Sequence, residues 1–205
     1  MNTTFAAHDL LWGMLPEHLP DDAPDWARRV LAAGLPVVVR RASGPAGQVP
    51  VGLRGDGRAR RLAAWMPREA VRCRRRPEDL RLDAVADLPA LAALQRLTPL
   101  LDSTALAWGP TGGVAYQLAT GLAVLHEASD LDLVVRTPAP LSRLQARALS
   151  HALQPSPCRI DVQLETPNGA IALAEWASGA ARVLLKHREG ARLVTDPWHL
   201  AEQPA

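Results

Sequence analysis

The sequence has few cysteines, a single lysine and few aromatic side chains. Two cysteines, Cys73 and Cys158, are too few for a disulfide framework or a four-thiolate zinc site. No stretch approaches the roughly 18 to 20 apolar residues that a bilayer-spanning helix needs, and residues 1–15 lack the basic lead and apolar run of a targeting segment. We therefore expect a soluble cytoplasmic protein with no membrane partner.

The chain contains enough hydrophobic residues to form an ordinary core. It has 205 residues, of which 48% are hydrophobic. This length suits one domain or two small ones, and a core of this size needs no disulfide or structural metal to be stable.

The positive charge is unevenly distributed. Lys186 is the single lysine among 23 basic residues. Residues 1–81 carry 14 arginines against 9 acids, a net charge of +5, whereas residues 82–205 carry a net charge of −3. A basic first part indicates an anionic partner. The total of +2 is too mild for bulk nucleic-acid binding, so we expect no nucleic-acid partner.

The sequence pattern of the first part of the chain is typical of a small α+β domain, which we place at residues 1–80. Its prolines and glycines punctuate short apolar and β-branched runs. The predicted elements are a helix at 26–33 capped by Asp25, strands at 35–41 and 49–53, a segment at 60–65 that is a strand or a short helix, and a helix that opens at Pro67.

The second part, residues 81–205, alternates helical and strand patterns, which predicts a mixed α/β domain. Leucines spaced by three between residues 80 and 101 indicate one apolar helical stripe. The elements predicted beyond that stripe are a glycine-rich loop at 109–113, helices at 114–119, 142–153 and 170–178, strands at 129–135 and 159–164, and a hairpin of 183–186 with 192–195. The chain as a whole is thus predicted to be α+β.

Asp130 and Asp132 carry the strongest chemical signal. They are two apart on a predicted strand, so both carboxylates project from the same face. Side-by-side carboxylates repel each other unless a cation sits between them. Carboxylate oxygens on a rigid strand suit Mg²⁺, which keeps other coordination positions for water and substrate phosphates.

Asp161 repeats the local pattern, since it lies between Ile160 and Val162 on a second predicted strand. If the two strands are neighbours, three carboxylates converge and can hold two Mg²⁺ ions for an in-line phosphoryl displacement. Taken singly, an Asp-x-Asp strand is usually a solvated edge or part of a calcium-type loop, and a lone strand aspartate is usually exposed.

Gly112 and Gly113 precede a predicted helix. Glycines let backbone N–H groups approach a phosphate, and a helix N-terminus favours negative charge. A glycine pair alone is more often a plain turn. The order of glycine pair, Asp-x-Asp strand and distant strand aspartate is specific as a combination.

This order resembles the nucleotidyltransferase superfamily related to DNA polymerase beta. The matching residues are Gly112-Gly113, then Asp130-Leu131-Asp132-Leu133, then Asp161. The resemblance implies a polymerase-beta-like mixed-sheet catalytic domain. A spacer of 16 residues between Gly113 and Asp130 is somewhat longer than the superfamily pattern.

A closer resemblance covers nearly the whole chain. The segments that carry it are His8–Trp12, Pro36–Arg41, Val51–Gly55, Arg58–Arg61, Trp108–Gly113, Leu118–Gly121, Ser129–Leu133 and Asp196–Trp198. These segments resemble the phosphoribosyl-dephospho-CoA transferases of malonate decarboxylase, the holo-acyl-carrier-protein synthases. The resemblance implies that 2′-(5″-triphosphoribosyl)-3′-dephospho-CoA is joined to a serine of the apo acyl-carrier subunit of malonate decarboxylase, with release of diphosphate.

That reaction gives each acid a role. Asp130 and Asp132 are expected to bind both metal ions, whereas Asp161 holds the catalytic metal and is either the general base or a metal ligand alone. Gly112 and Gly113 are expected to hold the leaving diphosphate.

Other substrate-binding candidates have competing explanations. Ser129 either orients the acid strand or closes a turn. Arg54, Arg58 and Arg61 are either bidentate phosphate ligands or solvated charges. Lys186 is either a phosphate ligand or a surface lysine.

Two other functions remain open on the sequence alone. The first is a nucleotidyltransferase that acts on another acceptor. The second is a non-catalytic protein that binds the carrier, against which the three intact aspartates argue.

Overall fold

Residues 4–55, 60–82 and 87–200 are described by a computed structural model, in which the chain divides into one unit up to Arg76 and a second from Pro77. Within the described ranges, no helix is long and apolar enough to cross a membrane.

The first unit is an antiparallel sheet with a helix against its apolar face. Side chains alternate along the longer strands, so Val49, Val51 and Leu53 are buried while their neighbours are not. The helix contributes its buried residues Ala27 and Leu31 to the same core. The elements are β1 (Leu10–Trp12), α1 (Asp25–Ala32), β2 (Val37–Val39), β3 (Gln48–Arg54), β4 (Arg61–Pro67) and β5 (Cys73–Arg75), with the five strands in the order β4-β3-β2-β1-β5.

Three details of this unit differ from the sequence prediction or decide between its alternatives. Pro24, not Asp25, is the N-cap of α1, and Asp25 lies in the first turn, where a negative charge complements the helix dipole. The helix predicted from Pro67 is only a 3₁₀ turn at Arg68–Ala70. The ambiguous segment at 60–65 is a strand because β4 pairs along its whole length with β3.

The second unit is a six-stranded mixed sheet with helices. Its strands follow the order β11-β10-β9-β8-β7-β6, in which β7 and β8 are parallel and the other neighbours are antiparallel. The elements are α2 (Pro89–Ser103), β6 (Trp108–Pro110), α3 (Gly112–Thr120), β7 (Leu131–Arg136), α4 (Arg143–Ala152), β8 (Ile160–Thr166), β9 (Gly169–Ala172), α5 (Leu173–Ser178), β10 (Val183–His187) and β11 (Gly190–Val194).

Most of the predicted elements of this unit are present, and two assignments were wrong. Residues 109 and 110 of the predicted loop belong to β6, where Pro110 is tolerated because β6 is an edge strand. The predicted helix at 170–178 begins as strand β9, since Ile171 and its neighbours pair with β8. Two sheets, one antiparallel and one mixed, together with helices, confirm the α+β class.

The core of the second unit lies on one face of β7 and β8. Leu131, Leu133 and Leu164 are buried there and pack with α2, α4 and α5 residues. Because side chains alternate, the intervening residues of both strands project from the opposite face. That opposite face contains the aspartates.

Candidate active site

Parallel pairing of β7 and β8 brings two of the three aspartates together. Leu131 pairs with Ile160, which places Asp132 directly opposite Asp161. Asp130 lies two residues before Asp132, so it projects from the same face at the start of the strand. All three are partly buried, between the closed core and open solvent.

Asp161 meets an arginine that was not among the predicted site residues. Nη2 of Arg159 lies 3.0 Å from Oδ1 of Asp161, and the two side chains are 71% and 48% exposed. Arg159 stands two residues before Asp161, as Asp130 stands before Asp132. The same alternation that pointed to Asp130 and Asp132 therefore gave a signal for Arg159 in the sequence.

The fit of this site to Mg²⁺ follows from its donors. Two carboxylates on one strand and a third on the adjacent strand supply the oxygen ligands that Mg²⁺ takes. Among the described residues, no group of three or more His, Cys, Asp or Glu is already arranged to hold a metal ion. Arg159 engages Oδ1 of Asp161, so a metal ion would bind this carboxylate through Oδ2, or through both oxygens once the ion pair opens.

Gly112 lies against Asp132 at the start of α3. Its φ of +60° is a conformation that side chains disfavour. A Cβ at this position would collide with Oδ2 of Asp132 and lie 3.3 Å from the Asp132 Cβ. The residue before it, Thr111, donates its N–H to the Asp132 carbonyl at 2.8 Å. Glycine is thus required for the helix to begin beside the carboxylate.

The N-terminus of α3 is open to a ligand in one respect. Thr111 is the N-cap, and its side chain makes no capping hydrogen bond. The first backbone N–H groups of a helix have no partners within the helix and carry partial positive charge. Gly112 and Gly113 contribute two of these groups, next to Asp132.

Ser129 closes the turn that leads into β7. Its Oγ accepts a hydrogen bond from the His126 N–H at 3.0 Å, and its own N–H donates to the His126 carbonyl at 2.9 Å. Ser129 itself is buried, and this turn fixes where the chain enters the strand just before Asp130. The structure therefore gives Ser129 the turn contacts that the sequence offered as one alternative.

Lys186 belongs to the same sheet as the acids, but it lies at a different position along the strand direction. It is an exposed residue of β10, paired with Ala170 of β9, which in turn pairs with Glu165. Asp161 is four residues before Glu165, or about 13 Å along the strand. The structure does not bring Lys186 to the acid pair.

The three predicted arginines belong to the first unit. Arg54 and Arg61 are register partners at the ends of β3 and β4. Arg58 lies outside the described residues.

Comparison with known proteins points to one family. The model of the phosphoribosyl-dephospho-CoA transferase MdcG N-terminal domain matches residues 6–77, and that of the C-terminal domain matches residues 79–197. No solved structure matches the chain.

Curated relatives agree over nearly the full length of the chain. Three proteins named phosphoribosyl-dephospho-CoA transferase are similar to it. They come from Pseudomonas putida strain W619 (63% identical, covering 95% of this chain and 96% of the relative), Pseudomonas putida (60%, covering 96% of each) and Azotobacter vinelandii strain DJ (59%, covering 93% of each).

Proposed function

The chain belongs to the phosphoribosyl-dephospho-CoA transferase family and is a transferase, and we propose that its acceptor is the apo acyl-carrier subunit of malonate decarboxylase. The donor in this proposal is 2′-(5″-triphosphoribosyl)-3′-dephospho-CoA. The product carries the phosphoribosyl-dephospho-CoA group on a serine, and diphosphate is released. The observation that supports this chemistry is the opposed pair of Asp132 and Asp161.

The reaction needs a base and an open approach for the serine. The serine oxygen forms a bond to the phosphorus next to the ribose, the bond from that phosphorus to the diphosphate breaks, and the serine proton leaves. Asp161 has a half-exposed side chain at the edge of the acid cluster, so an incoming hydroxyl can reach it. In this proposal Asp161 accepts the proton.

The acids would also hold two Mg²⁺ ions, with Asp130 and Asp132 as shared ligands and Asp161 as a ligand of the catalytic ion. Bound Mg²⁺ supplies positive charge to the reacting phosphates. The uncapped N–H groups of Gly112 and Gly113 would hold the leaving diphosphate, because a helix N-terminus stabilises an anion.

Other chain positions have supporting roles in the proposal. Ser129 keeps the acid strand in place through its turn contacts with His126. Arg54, Arg58 and Arg61 are proposed as ligands of the dephospho-CoA phosphates, as is Lys186. For Lys186 the contact would lie away from the reacting phosphorus, since the strand register aligns this residue with Glu165 and not with Asp161.

The test is reconstitution with the purified apo carrier subunit, the triphosphoribosyl donor and MgCl₂. Intact-mass spectrometry should show one prosthetic group added per carrier, and diphosphate should appear in equal amount. A carrier in which the acceptor serine is replaced by alanine should gain no mass. An unmodified wild-type carrier under these conditions would disprove the acceptor assignment.

The alternatives separate in the same experiment. Diphosphate release that requires a different added acceptor would identify a transferase with another substrate. Carrier that co-purifies with the chain but is neither modified nor accompanied by diphosphate release would indicate a carrier-binding protein, and a Mg²⁺ titration would then show whether the three aspartates still bind metal.

A further inference from the structure

Arg159 is a basic side chain beside the acid cluster that the proposed function has not used. It immediately precedes β8, and its carbonyl accepts the N–H of Leu131 at 2.9 Å, so the parallel pairing continues to this residue. Alternation along β8 puts Arg159 on the same face as Asp161. The register also sets it opposite Asp130 on the neighbouring strand.

The contact that holds Arg159 is weak in energy. Its guanidinium is 71% exposed and meets Asp161, which is 48% exposed, at 3.0 Å. Exposed ion pairs of this kind contribute about 0–1 kcal/mol, because water screens the charges and two side chains lose freedom. A stronger anionic partner can therefore take the guanidinium from Asp161 at little cost.

The guanidinium also has unused capacity. Arginine has five N–H donors in a planar fork that matches phosphate oxygens, and within the described parts of the chain a single hydrogen bond, to Asp161, is seen. The other basic side chain on this face of the two strands, Arg136, is occupied differently: its Nε donates to Glu78 at 2.7 Å. Arg159 is thus the cation of these two strands that faces solvent beside the aspartates.

A triphosphate adds several negative charges to a place that already contains three carboxylates. We infer that Arg159 binds the phosphate chain of the donor. When the guanidinium exchanges Asp161 for phosphate, the Asp161 carboxylate is released for the role that the proposed function gives it. The inference rests on the proposed function for the identity of the donor. The phosphate binding itself rests on the position of Arg159 alone.

Inorganic triphosphate is the probe that tests the binding step. Its affinity for the full chain is measured by titration calorimetry in MgCl₂, with no carrier present. Arg159→Gln should weaken binding by roughly tenfold to a hundredfold, the effect of losing one or two charge-assisted hydrogen bonds. The triphosphate affinity of Arg159→Lys should lie between those of the wild type and Arg159→Gln, since lysine keeps the charge but lacks the planar fork of donors.

Arg188→Gln is the matched control. Arg188 is an exposed arginine in the turn between β10 and β11, so its replacement changes the net charge equally and leaves the acid cluster intact. Triphosphate should bind this variant as it binds the wild type. Equal losses in the Arg188 and Arg159 variants, unchanged binding in Arg159→Gln, or no binding to the wild type would each overturn the inference.

A second measurement separates phosphate binding from a structural role. Asp161→Asn removes the partner of Arg159 and should strengthen triphosphate binding in the absence of Mg²⁺. That gain should shrink at least severalfold in the double variant with Arg159→Gln, because the released guanidinium is its source. An equal gain in both backgrounds would contradict the inference.

Failure here and failure of the proposed function are distinguishable. In the transfer assay, Arg159→Gln should raise the KM for the donor more than it lowers kcat. Carrier modified with an unchanged donor KM would overturn the role of Arg159 and leave the proposed function standing. If triphosphate affinity depends on Arg159 but the chain never modifies the carrier, the role of Arg159 stands and the proposed acceptor is wrong.

Discussion

Asp132 of β7 and Asp161 of β8 are direct neighbours across a parallel strand pair, and their side chains leave the sheet on the same face. This single pairing turns two motifs 29 positions apart in the sequence into one site. It also restricts how the site can change, since a shift of one residue in register would send one carboxylate into the core.

Replacing Asp132 by asparagine should abolish transfer and leave the fold intact. The substitution keeps the shape of the side chain but removes the charge on which a bound Mg²⁺ depends. We expect a loss of at least about a hundredfold, because even residues that only orient metal ligands cost 10- to 100-fold. Rates are measured by carrier mass shift. Glu189→Gln, an exposed change in the β10–β11 turn, should be as active as the wild type. Full activity in Asp132→Asn would contradict the proposed role.

Gly112→Ala should be far more damaging than Gly121→Ala at the other end of the same helix. Both glycines have positive φ, +60° and +73°, so alanine costs about 1–2 kcal/mol of backbone strain at either position. The added Cβ meets Asp132 at position 112, whereas it has nothing within 4 Å at position 121.

Thermal unfolding and transfer rate together check this comparison. Gly121→Ala should lower the melting temperature and keep transfer. Gly112→Ala should lose transfer as well, since Asp132 must move. Equal effects of the two substitutions on transfer would show that the contact with Asp132 has no part in the reaction.

The sequence predicted the placement of the acidic residues on their strands better than it predicted the edges of the sheets. Alternating acids on apolar strands give a signal that is local, so Asp130, Asp132 and Asp161 could be placed on one face of their strands before the fold was known. Whether the two strands are neighbours depends on long-range pairing, which only the structure supplies.

The elements that the sequence missed are short and depend on partners. Strands β1, β5 and β6 have three residues each, too few for a periodic pattern. Residues 169–172 contain two alanines, which favour a helix, and pairing with β8 overrides that preference. Arg159 was missed for another reason: the predicted pattern consisted of acidic residues, and Arg159 is a basic residue in the same alternation.

Removal of divalent metal should stop the reaction reversibly. Chelation by EDTA is expected to abolish carrier modification, and excess MgCl₂ should restore it, since three carboxylates without a cation repel both one another and the donor phosphates. Binding of Mn²⁺ measured by electron paramagnetic resonance should weaken in Asp130→Asn and Asp132→Asn. Transfer at the wild-type rate in EDTA would rule out the metal.

Stability near the end of the described chain should depend on pH through Asp196. Burial raises the pKa of Asp196, but hydrogen bonds from the His199 side chain and from the Trp198 and His199 backbone N–H groups outweigh it, so the net pKa is below the usual value of 3.8. A lowered folded-state pKa means that the contribution is present above the unfolded value and disappears as the pH falls through the folded one.

Two substitutions at Asp196 separate the charge from the hydrogen bonds. Asp196→Ala removes the acceptor for both backbone N–H groups and should cost roughly 1 kcal/mol per hydrogen bond lost at neutral pH. Asp196→Asn keeps an acceptor oxygen, so it should cost less. Its difference from the wild type should vanish in acid, where Asp196 is itself neutral. The free energy of unfolding in urea, measured from pH 7 downward, checks both expectations.

Gly109 lets the turn at the start of the second unit pack closely against the sheet. This contact should be energetically coupled to the ion pair between Glu78 and Arg136. A Cβ on Gly109 would overlap the Pro77 carbonyl, while the next residue, Glu78, pairs with Arg136 at 2.7 Å on the same turn. Both groups of this pair are largely buried, so breaking it costs more than breaking an exposed pair.

Gly109→Ala should therefore destabilise the fold by about 1–3 kcal/mol through overpacking, and it should also pull Glu78 from Arg136. Glu78→Gln alone removes the charge without moving the turn. If one turn carries both contacts, the double variant should lose less stability than the sum of the single losses, because Glu78 has already left its partner. Strict additivity in urea unfolding would mean that the two contacts form independently of each other.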